Sequence, residues 1–181
     1  MDTPKIRQIF LHGPLGKRQL REVLSSQLSA LLIQPEPIWL VSPWVSDFLL
    51  LDNSAGQWNA LNPDWTGRKI LFSELLAELV NQGCNLNLVT RDLPENKEFI
   101  VSFKEKLSAG AIYKIIFAPE VHSKGFLTSK FFFEGSMNFT FSGAYRNDEL
   151  VKLKVDNDAI SEALIEFKER YNVSDDWEED L

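Results

Sequence analysis

A histidine and a lysine stand close together in a pattern that suits phosphate chemistry. His122 and Lys124 are two positions apart on a stretch predicted to be extended, so both side chains are expected to face the same way. An imidazole can attack phosphorus or transfer protons near neutral pH, while an ammonium stabilises negative charge on phosphate oxygens. The pair therefore predicts phosphate chemistry that needs no metal and no other cofactor.

Residues further along the chain extend this candidate site. Gly135 and Ser136 follow a predicted strand, and a residue without Cβ beside a small hydroxyl lets backbone amides and the serine oxygen approach an anion. Asn138 adds an uncharged donor. Glu149 could accept a hydrogen bond from one imidazole nitrogen, which would turn the other nitrogen toward phosphorus. We predict catalytic roles for His122, Lys124, Asn138 and Glu149, and phosphate binding by Lys124, Gly135, Ser136 and Asn138.

The elements that must position these residues alternate between strands and helices. Short apolar runs predict strands over residues 6–11, 38–41, 86–90, 111–118 and 149–155, with a hairpin from residue 125 onward. Apolar residues at helical spacing predict helices over residues 17–33, 70–82, 95–109 and 159–171. Residues 52–67 are rich in Asn, Asp, Gly and Pro, which indicates a loop. The run 38–41 is apolar throughout, as in a central strand buried on both faces. This alternation predicts a layered α/β domain.

The ordered set of motif residues resembles a known signature. His122-x-Lys124 followed by Gly135-Ser136-x-Asn138 resembles the His-x-Lys…Gly-Ser-x-Asn pattern of the phospholipase D superfamily, and specifically its single-motif bacterial nuclease branch. Asn147 with Glu149, and the run Trp-Leu-Val-Ser-Pro-Trp over residues 39–44, resemble two further elements of that family. The resemblance implies an α-β-α sandwich with a mixed central sheet flanked by helices. It also implies a metal-independent phosphodiesterase, with an endonuclease that cleaves DNA through a phosphohistidine as the favoured interpretation.

The chain departs from the family pattern in its hairpin and has one copy of the motif. Ser129 stands where the family has an aspartate, and the hairpin is one residue shorter than usual, which puts a supporting hydrogen bond in question. Members with two motifs build one site from both histidines. Here the second histidine, His12, has Pro14 where the motif would place lysine. The resemblance therefore implies a homodimer that completes the active site.

Other residues have simpler structural interpretations. Trp44 and Arg146 are candidate substrate-rim residues, with packing favoured for Trp44 and an ordinary surface position for Arg146. His12 is expected in a turn, and Cys84 is expected to be a buried, unreactive thiol. Core or dimer-interface packing is expected for Trp39 and for phenylalanines 131, 132, 133, 139 and 141.

Composition limits the classes of function. The chain has 181 residues, 44% of them hydrophobic, which predicts one domain over residues 1–173 and an acidic tail over residues 174–181. The formal net charge is −7, and five acidic residues in the last seven positions leave −2 for the rest. This argues against a broad basic surface for nucleic acid. No membrane span or signal peptide is expected, and one cysteine suits a cytoplasmic protein.

Three functions remain open from the sequence. A nuclease is favoured, with DNA preferred over RNA as substrate. A lipid-directed phosphodiesterase is less favoured, because it would be expected to carry an export signal, an apolar membrane-binding surface or a second motif. A non-catalytic nucleic-acid-binding or assembly module is the main alternative, motivated by Ser129 and the acidic charge. The small basic surface also suggests a larger complex with a helicase or translocase, as in bacterial defence systems.

Overall fold

Strands and helices alternate along the chain, as the apolar pattern predicts. A computed structural model describes residues 6–173. The strands are β1 (Ile6–Phe10), β2 (Ile38–Val41), β3 (Leu49–Asp52), β4 (Lys69–Leu71), β5 (Leu86–Thr90), β6 (Tyr113–Phe117), β7 (Gly125–Leu127), β8 (Phe132–Gly135) and β9 (Leu150–Lys154). The helices are α1 (Gly13–Ile33), α2 (Phe72–Asn81), α3 (Pro94–Lys104), α4 (Phe141–Tyr145) and α5 (Asn157–Tyr171). The expected acidic tail, residues 174–181, lies outside the described residues and stays a prediction, as does the single-domain organisation.

Seven of the strands form one mixed sheet in the order β1-β9-β8-β7-β2-β5-β6. β2, β5 and β6 are parallel neighbours, whereas β7, β8, β9 and β1 follow β2 with antiparallel pairing. Consequently β1, β2, β5, β6 and β8 end at the same edge of the sheet at which β7 and β9 begin. We call this the site edge, because the candidate residues of the sequence lie there.

Helices cover both faces of the sheet. In β2, Ile38 and Leu40 face a large core shared with α1, α2 and α3, whereas Trp39 and Val41 face a smaller core shared with α5. All four side chains are at most 2% exposed. The predicted central strand and the α-β-α sandwich are therefore confirmed.

The aromatic residues expected in the core are buried with one exception. Trp39 and phenylalanines 131, 132, 133 and 139 are no more than 7% exposed. Phe141, in contrast, is 43% exposed at the start of α4. Cys84 is fully buried, and burial raises the pKa of its thiol, as expected for an unreactive cysteine.

Several element boundaries differ from the sequence-based expectation. Helix α1 begins at Gly13 and not at residue 17, because Pro14 fits the first turn of a helix, where no backbone N–H is needed. Helix α2 begins at Phe72 and not at residue 70, since residues 69–71 pair with β3 in a separate two-stranded sheet whose strands flank the expected loop. Helix α3 ends at Lys104, five residues early, because the N–H groups of Lys106 and Leu107 donate to carbonyls three residues before them and not four. Helix α4 was not predicted.

None of the helices formed by residues 6–173 combines the length and apolar character needed to cross a lipid bilayer.

Candidate functional site

Three chain segments that carry candidate residues meet at the site edge. His122 and Lys124 precede β7, Ser136 follows β8, and Glu149 precedes β9. The backbones of the first two segments are joined by Gly135 N, which donates to the carbonyl of Lys124 at 3.4 Å. The sheet thus brings together residues that lie up to 27 positions apart in the sequence.

Ser136 and Glu149 are connected by a short hydrogen bond. Ser136 Oγ donates to Glu149 Oε2 and accepts from the backbone N–H of Leu150 at 3.1 Å. Asn147 Nδ2 donates to the other carboxylate oxygen at 3.2 Å. Glu149 therefore orients the serine and the asparagine. Within residues 6–173 it forms no hydrogen bond with His122, so the proposed contact to an imidazole stays a prediction.

Gly135 allows this arrangement because no other residue fits its position. A Cβ atom there would lie 2.1 Å from the carbonyl oxygen of Leu150 and 2.8 Å from Val151 Cα. The absence of a side chain lets the end of β8 approach the start of β9 closely. This approach places the amide of Ser136 3.0 Å from the same Leu150 carbonyl.

Asn138 is held against the end of the central strand. Ser42, fully buried after β2, accepts a hydrogen bond from Phe139 N at 3.2 Å, and its Oγ lies 3.5 Å from Asn138 Oδ1. Helix α4 then closes over this backbone, since a Cβ at Gly143 would lie 2.2 Å from the Asn138 carbonyl oxygen. The asparagine is therefore positioned by Ser42, which is distant in sequence, and by the helix that directly follows it.

His122 and Lys124 lie just before β7, outside the paired part of the strand. That their side chains face the same way stays a prediction. Lys124 Nζ donates to the carbonyl of His122 at 2.7 Å. The imidazole is exposed, and it forms no hydrogen bond with any other residue of the described range.

The charge of Lys124 depends on three influences. Desolvation lowers the pKa of its ammonium from the usual value, and the nearby Arg91 charge lowers the pKa further. The carboxylate of Glu149 acts in the opposite direction and raises it. The carboxylate of Glu149 and the guanidinium of Arg91 therefore lie within electrostatic range of the lysine.

Arg91 is a site residue that the sequence analysis missed. It follows β5, and its Nε and Nη2 donate to the carbonyl of Val121, next to His122, at 3.2 and 3.1 Å. Its guanidinium also stacks over the ring of Trp44 at 4.7 Å. A usable signal was present, because Arg91 directly follows a predicted buried strand and the carboxyl ends of parallel strands share one edge.

A buried asparagine forms hydrogen bonds to both of the loops that carry Trp44 and Arg91. Asn96, in α3, is fully buried, and its Nδ2 lies 2.9 Å from the carbonyl oxygens of both Pro43 and Arg91 and 2.8 Å from Thr90 Oγ1. Its Oδ1 accepts from Val45 N at 2.9 Å. The loops after β2 and β5 are therefore held as one unit.

The two predicted rim residues are both solvent-accessible. Trp44 is 40% exposed, so the packing that was favoured for it accounts for only part of its surface. Arg146, at the end of α4, is exposed and stacks over the ring of Phe141 at 5.0 Å. Its backbone carbonyl accepts from Lys17 Nζ at 2.8 Å.

Ser129 lies at the opposite end of the sheet from the site edge. With Lys130 it forms the two-residue turn between β7 and β8, and its hydroxyl donates to Glu36 Oε2 at 2.6 Å. Lys130 pairs with the other oxygen of the same carboxylate at 2.5 Å. Because the length of β7 separates Ser129 from Lys124, the departure from the family pattern affects the turn and not the site edge.

His12 lies in the short connection between β1 and α1, as expected for a turn residue. Its Nδ1 lies 3.7 Å from Asp148 Oδ2, and both side chains are largely exposed. The ring also stacks on Phe10 with 5.9 Å between the centroids.

The backbone is similar to solved structures of two bacterial proteins of nearly the same length. NucT from Helicobacter pylori superposes with a TM-score of 0.60 at 14% identity, over 93% of this chain and 95% of NucT. Nuc from Salmonella typhimurium, a phospholipase D family member, gives 0.58 at 13% identity over 94% of this chain and 95% of Nuc. The chain has the phospholipase D fold.

A similar arrangement occurs within a longer protein. Polyphosphate kinase from Porphyromonas gingivalis matches with a TM-score of 0.58 and 13% identity, over 96% of this chain and 27% of the kinase. No family model matches the sequence, and neither does any curated protein. At 13–14% identity, the likeness establishes the phospholipase D fold and not a function.

Proposed function

We propose that this chain is a metal-independent phosphodiesterase, and specifically an endonuclease that cleaves DNA. The observation that carries the proposal is the convergence at one sheet edge of an exposed histidine, a lysine, and the Ser136–Glu149 pair. Such a site offers a nucleophile, a cation for the phosphate oxygens and neutral hydrogen-bond donors. The phospholipase D fold supports the broader assignment to phosphodiester chemistry.

In the proposed reaction, an imidazole nitrogen of His122 attacks phosphorus and the bond to the leaving oxygen breaks. The leaving oxygen takes its proton from His122 of a second chain, arranged about a two-fold axis. Water then attacks the phosphohistidine, the second histidine accepts the proton of the water, and His122 is released with a phosphate monoester. Lys124, Ser136 and Asn138 bind the phosphate oxygens throughout.

The principal alternative is a binding module with a degenerate site, for which the sequence offers two grounds, Ser129 and the acidic charge. The first ground is weak, because Ser129 donates to Glu36 in the turn at the far end of β7. The residues that the proposed chemistry uses are all present at the site edge. We therefore favour catalysis over a purely binding role.

The proposal is tested by incubating the protein with single- and double-stranded DNA and with bis(p-nitrophenyl) phosphate in excess chelator. We expect cleavage by the wild type and a loss of at least about 1,000-fold in His122→Ala, since the nucleophile is removed. His12→Ala is the matched control, because it removes the other histidine of the chain and should retain activity.

Cleavage that requires added divalent metal, or that survives His122→Ala, would contradict the mechanism. If wild type binds DNA but cleaves no phosphodiester, the binding module replaces the enzyme.

We also propose that the chain works in a larger complex with a helicase or translocase, as a subunit of a bacterial defence system. The support is the acidic net charge of −7, which favours substrate delivery by a partner over unaided binding. Purification from the native host should then recover such a partner with the chain. Tight unaided binding of duplex DNA at physiological salt would argue against it.

A further inference from the structure

Two exposed aromatic rings near the site edge each carry an arginine guanidinium. Trp44 is 40% exposed and has Arg91 over its ring at 4.7 Å. Phe141 is 43% exposed, has Arg146 over its ring at 5.0 Å, and stacks on Tyr145 with 5.2 Å between the ring centroids. Large aromatic side chains normally bury most of their surface. We call these two arrangements the Trp44 pair and the Phe141 pair.

Both pairs belong to one rigid piece of backbone. Val45 forms an isolated parallel bridge with Phe139, and Ser46 N donates to the carbonyl of Phe139 at 3.0 Å. Ser46 Oγ in turn accepts from the backbone N–H of Phe141 at 3.0 Å. The segments that carry the two rings are therefore fixed side by side, next to Asn138 and the end of β2.

Within residues 6–173, neither Arg91 nor Arg146 pairs with a carboxylate, whereas three other arginines do, in the pairs Arg18–Glu22, Arg68–Glu74 and Arg170–Glu166. Arg91 donates instead to the backbone carbonyl of Val121. In a chain with net negative charge, uncompensated guanidinium groups beside a phosphate site attract phosphate groups of a substrate.

We propose that the Trp44 pair and the Phe141 pair bind unpaired nucleotides that flank the scissile phosphate, so that the substrate is single-stranded nucleic acid. The bases stack on the rings, while Arg91 and Arg146 contact neighbouring phosphates. Paired bases inside a duplex are stacked on one another and do not offer their faces to a side chain. This inference rests on the proposed function, because it names the substrate class of the same site.

The test measures binding without turnover, in a His122→Ala background. The probes are a fluorescein-labelled single-stranded DNA of about 12 nucleotides and the blunt duplex of the same sequence. We expect Trp44→Ala and Phe141→Ala each to weaken single-strand binding about 10-fold in fluorescence anisotropy, with duplex binding changed less than about 2-fold. Trp44→Phe should retain most of the single-strand affinity, since it keeps a stacking ring.

The arginine contacts are tested with Arg91→Ala and Arg146→Ala, which should weaken single-strand binding, and Arg170→Ala is their matched control for loss of an arginine over an aromatic ring. Arg170 lies 5.9 Å from the ring of Tyr171, which packs against Trp39 away from the motif, so both affinities should stay unchanged. Thermal unfolding of each variant verifies folding, which exposed side chains should not disturb.

Equal weakening of single-strand and duplex binding, or no weakening by either aromatic substitution, would overturn the inference. An equal effect of Arg170→Ala would overturn it too. Failure of the wild type to cleave any phosphodiester is a separate result, which removes the proposed function while the binding contrast still decides the inference.

Discussion

At the scale of single residues, neighbouring groups shift the pKa of Lys124. Burial and Arg91 lower the pKa of its ammonium, whereas Glu149 raises it. The lysine therefore loses its proton at a lower pH than a fully solvated lysine does. If the charged form binds phosphate, the cleavage rate must begin to fall at a lower pH than it would with a fully solvated lysine.

The first prediction uses this dependence. In Glu149→Gln the carboxylate that raises the pKa of Lys124 is lost, so the alkaline limb of the pH–rate profile should move to lower pH. The measurement is kcat/KM for bis(p-nitrophenyl) phosphate as a function of pH. Lys124→Arg is the control, because a guanidinium stays charged and its alkaline limb should move to higher pH. An unchanged limb in both variants would show that another group controls it.

A second prediction concerns Gly135. Gly135→Ala puts a Cβ 2.1 Å from the Leu150 carbonyl, so β8 and β9 must separate and Ser136 must move away from Glu149. We expect a loss of about 3 kcal/mol in the free energy of unfolding by urea. Gly67→Ala is the control, since no atom lies within 4 Å of its Cβ position and only its positive φ of 69° opposes alanine. Equal losses in both variants would refute the close-approach argument.

At the scale of elements, α3 positions the site without contributing a residue that faces a substrate. Its buried Asn96 joins the loop after β2 to the loop after β5. Trp44 and Arg91 are carried by these loops. The helix thus determines how the rim of the site is arranged relative to the motif residues.

The third prediction follows from this contact. Asn96→Ala leaves buried polar groups of both loops without a partner, which should cost about 3 kcal/mol in urea unfolding. Asn81→Ala, which removes amide contacts to Lys106 and Ser108 in a more solvated position, should cost less, about 1 kcal/mol. Single-strand affinity should fall in Asn96→Ala and not in Asn81→Ala. A stable Asn96→Ala protein with full affinity would exclude this role.

The sequence predicted the elements that have a strong apolar pattern. β2 and β5 were recognisable because every position is apolar or neutral over a short run. The alternation of such runs with helices predicted a layered α/β domain, whereas the mixed sandwich was implied by the family resemblance. β3, β4 and α4 were missed because they span only three to five residues each, too few for periodicity to appear. Their formation depends on partners that are distant in sequence.

For the candidate site, the sequence identified the motif but not all of its surroundings. His122, Lys124, Ser136 and Asn138 were visible as a pattern of residue types. Arg91 was missed although it follows a predicted strand, because its contact with Val121 arises from packing between loops and has no spacing rule. Similarly, the role of Ser129 could be decided only once the turn was placed at the far end of β7.

At the scale of the whole molecule, the proposed site is incomplete in one chain. The described range contains two histidines. His12 lies 3.7 Å from Asp148, on the side of β9 that faces β1 and not on the side of β8 and β7. A second histidine for the leaving oxygen must then come from another copy. The cleavage rate is therefore expected to depend on the fraction of chains that are dimeric.

The fourth prediction makes this quantitative. Wild type mixed with an equal amount of His122→Ala, after subunit exchange, should lose about half of its activity, because mixed dimers lack one histidine of the shared site. Sedimentation should give the mass of two chains. Mixing with His12→Ala should cause no loss. Full additivity in the His122→Ala mixture, or a monomeric mass with full activity, would exclude the shared site.

The neighbouring positions of β1 and β9 have a consequence for how the protein is made. Ile6 pairs with Lys154, and Leu11 N donates to the carbonyl of Glu149 at 2.8 Å, so the strand synthesised early borders the strand synthesised late. On the ribosome, β1 must wait for nearly the whole domain before it can join the sheet. Contacts of such long sequence separation form slowly, and they leave strand edges unpaired in the meantime. The hydrogen bond from Leu11 to Glu149, a residue of the candidate site, is therefore expected to form late in folding.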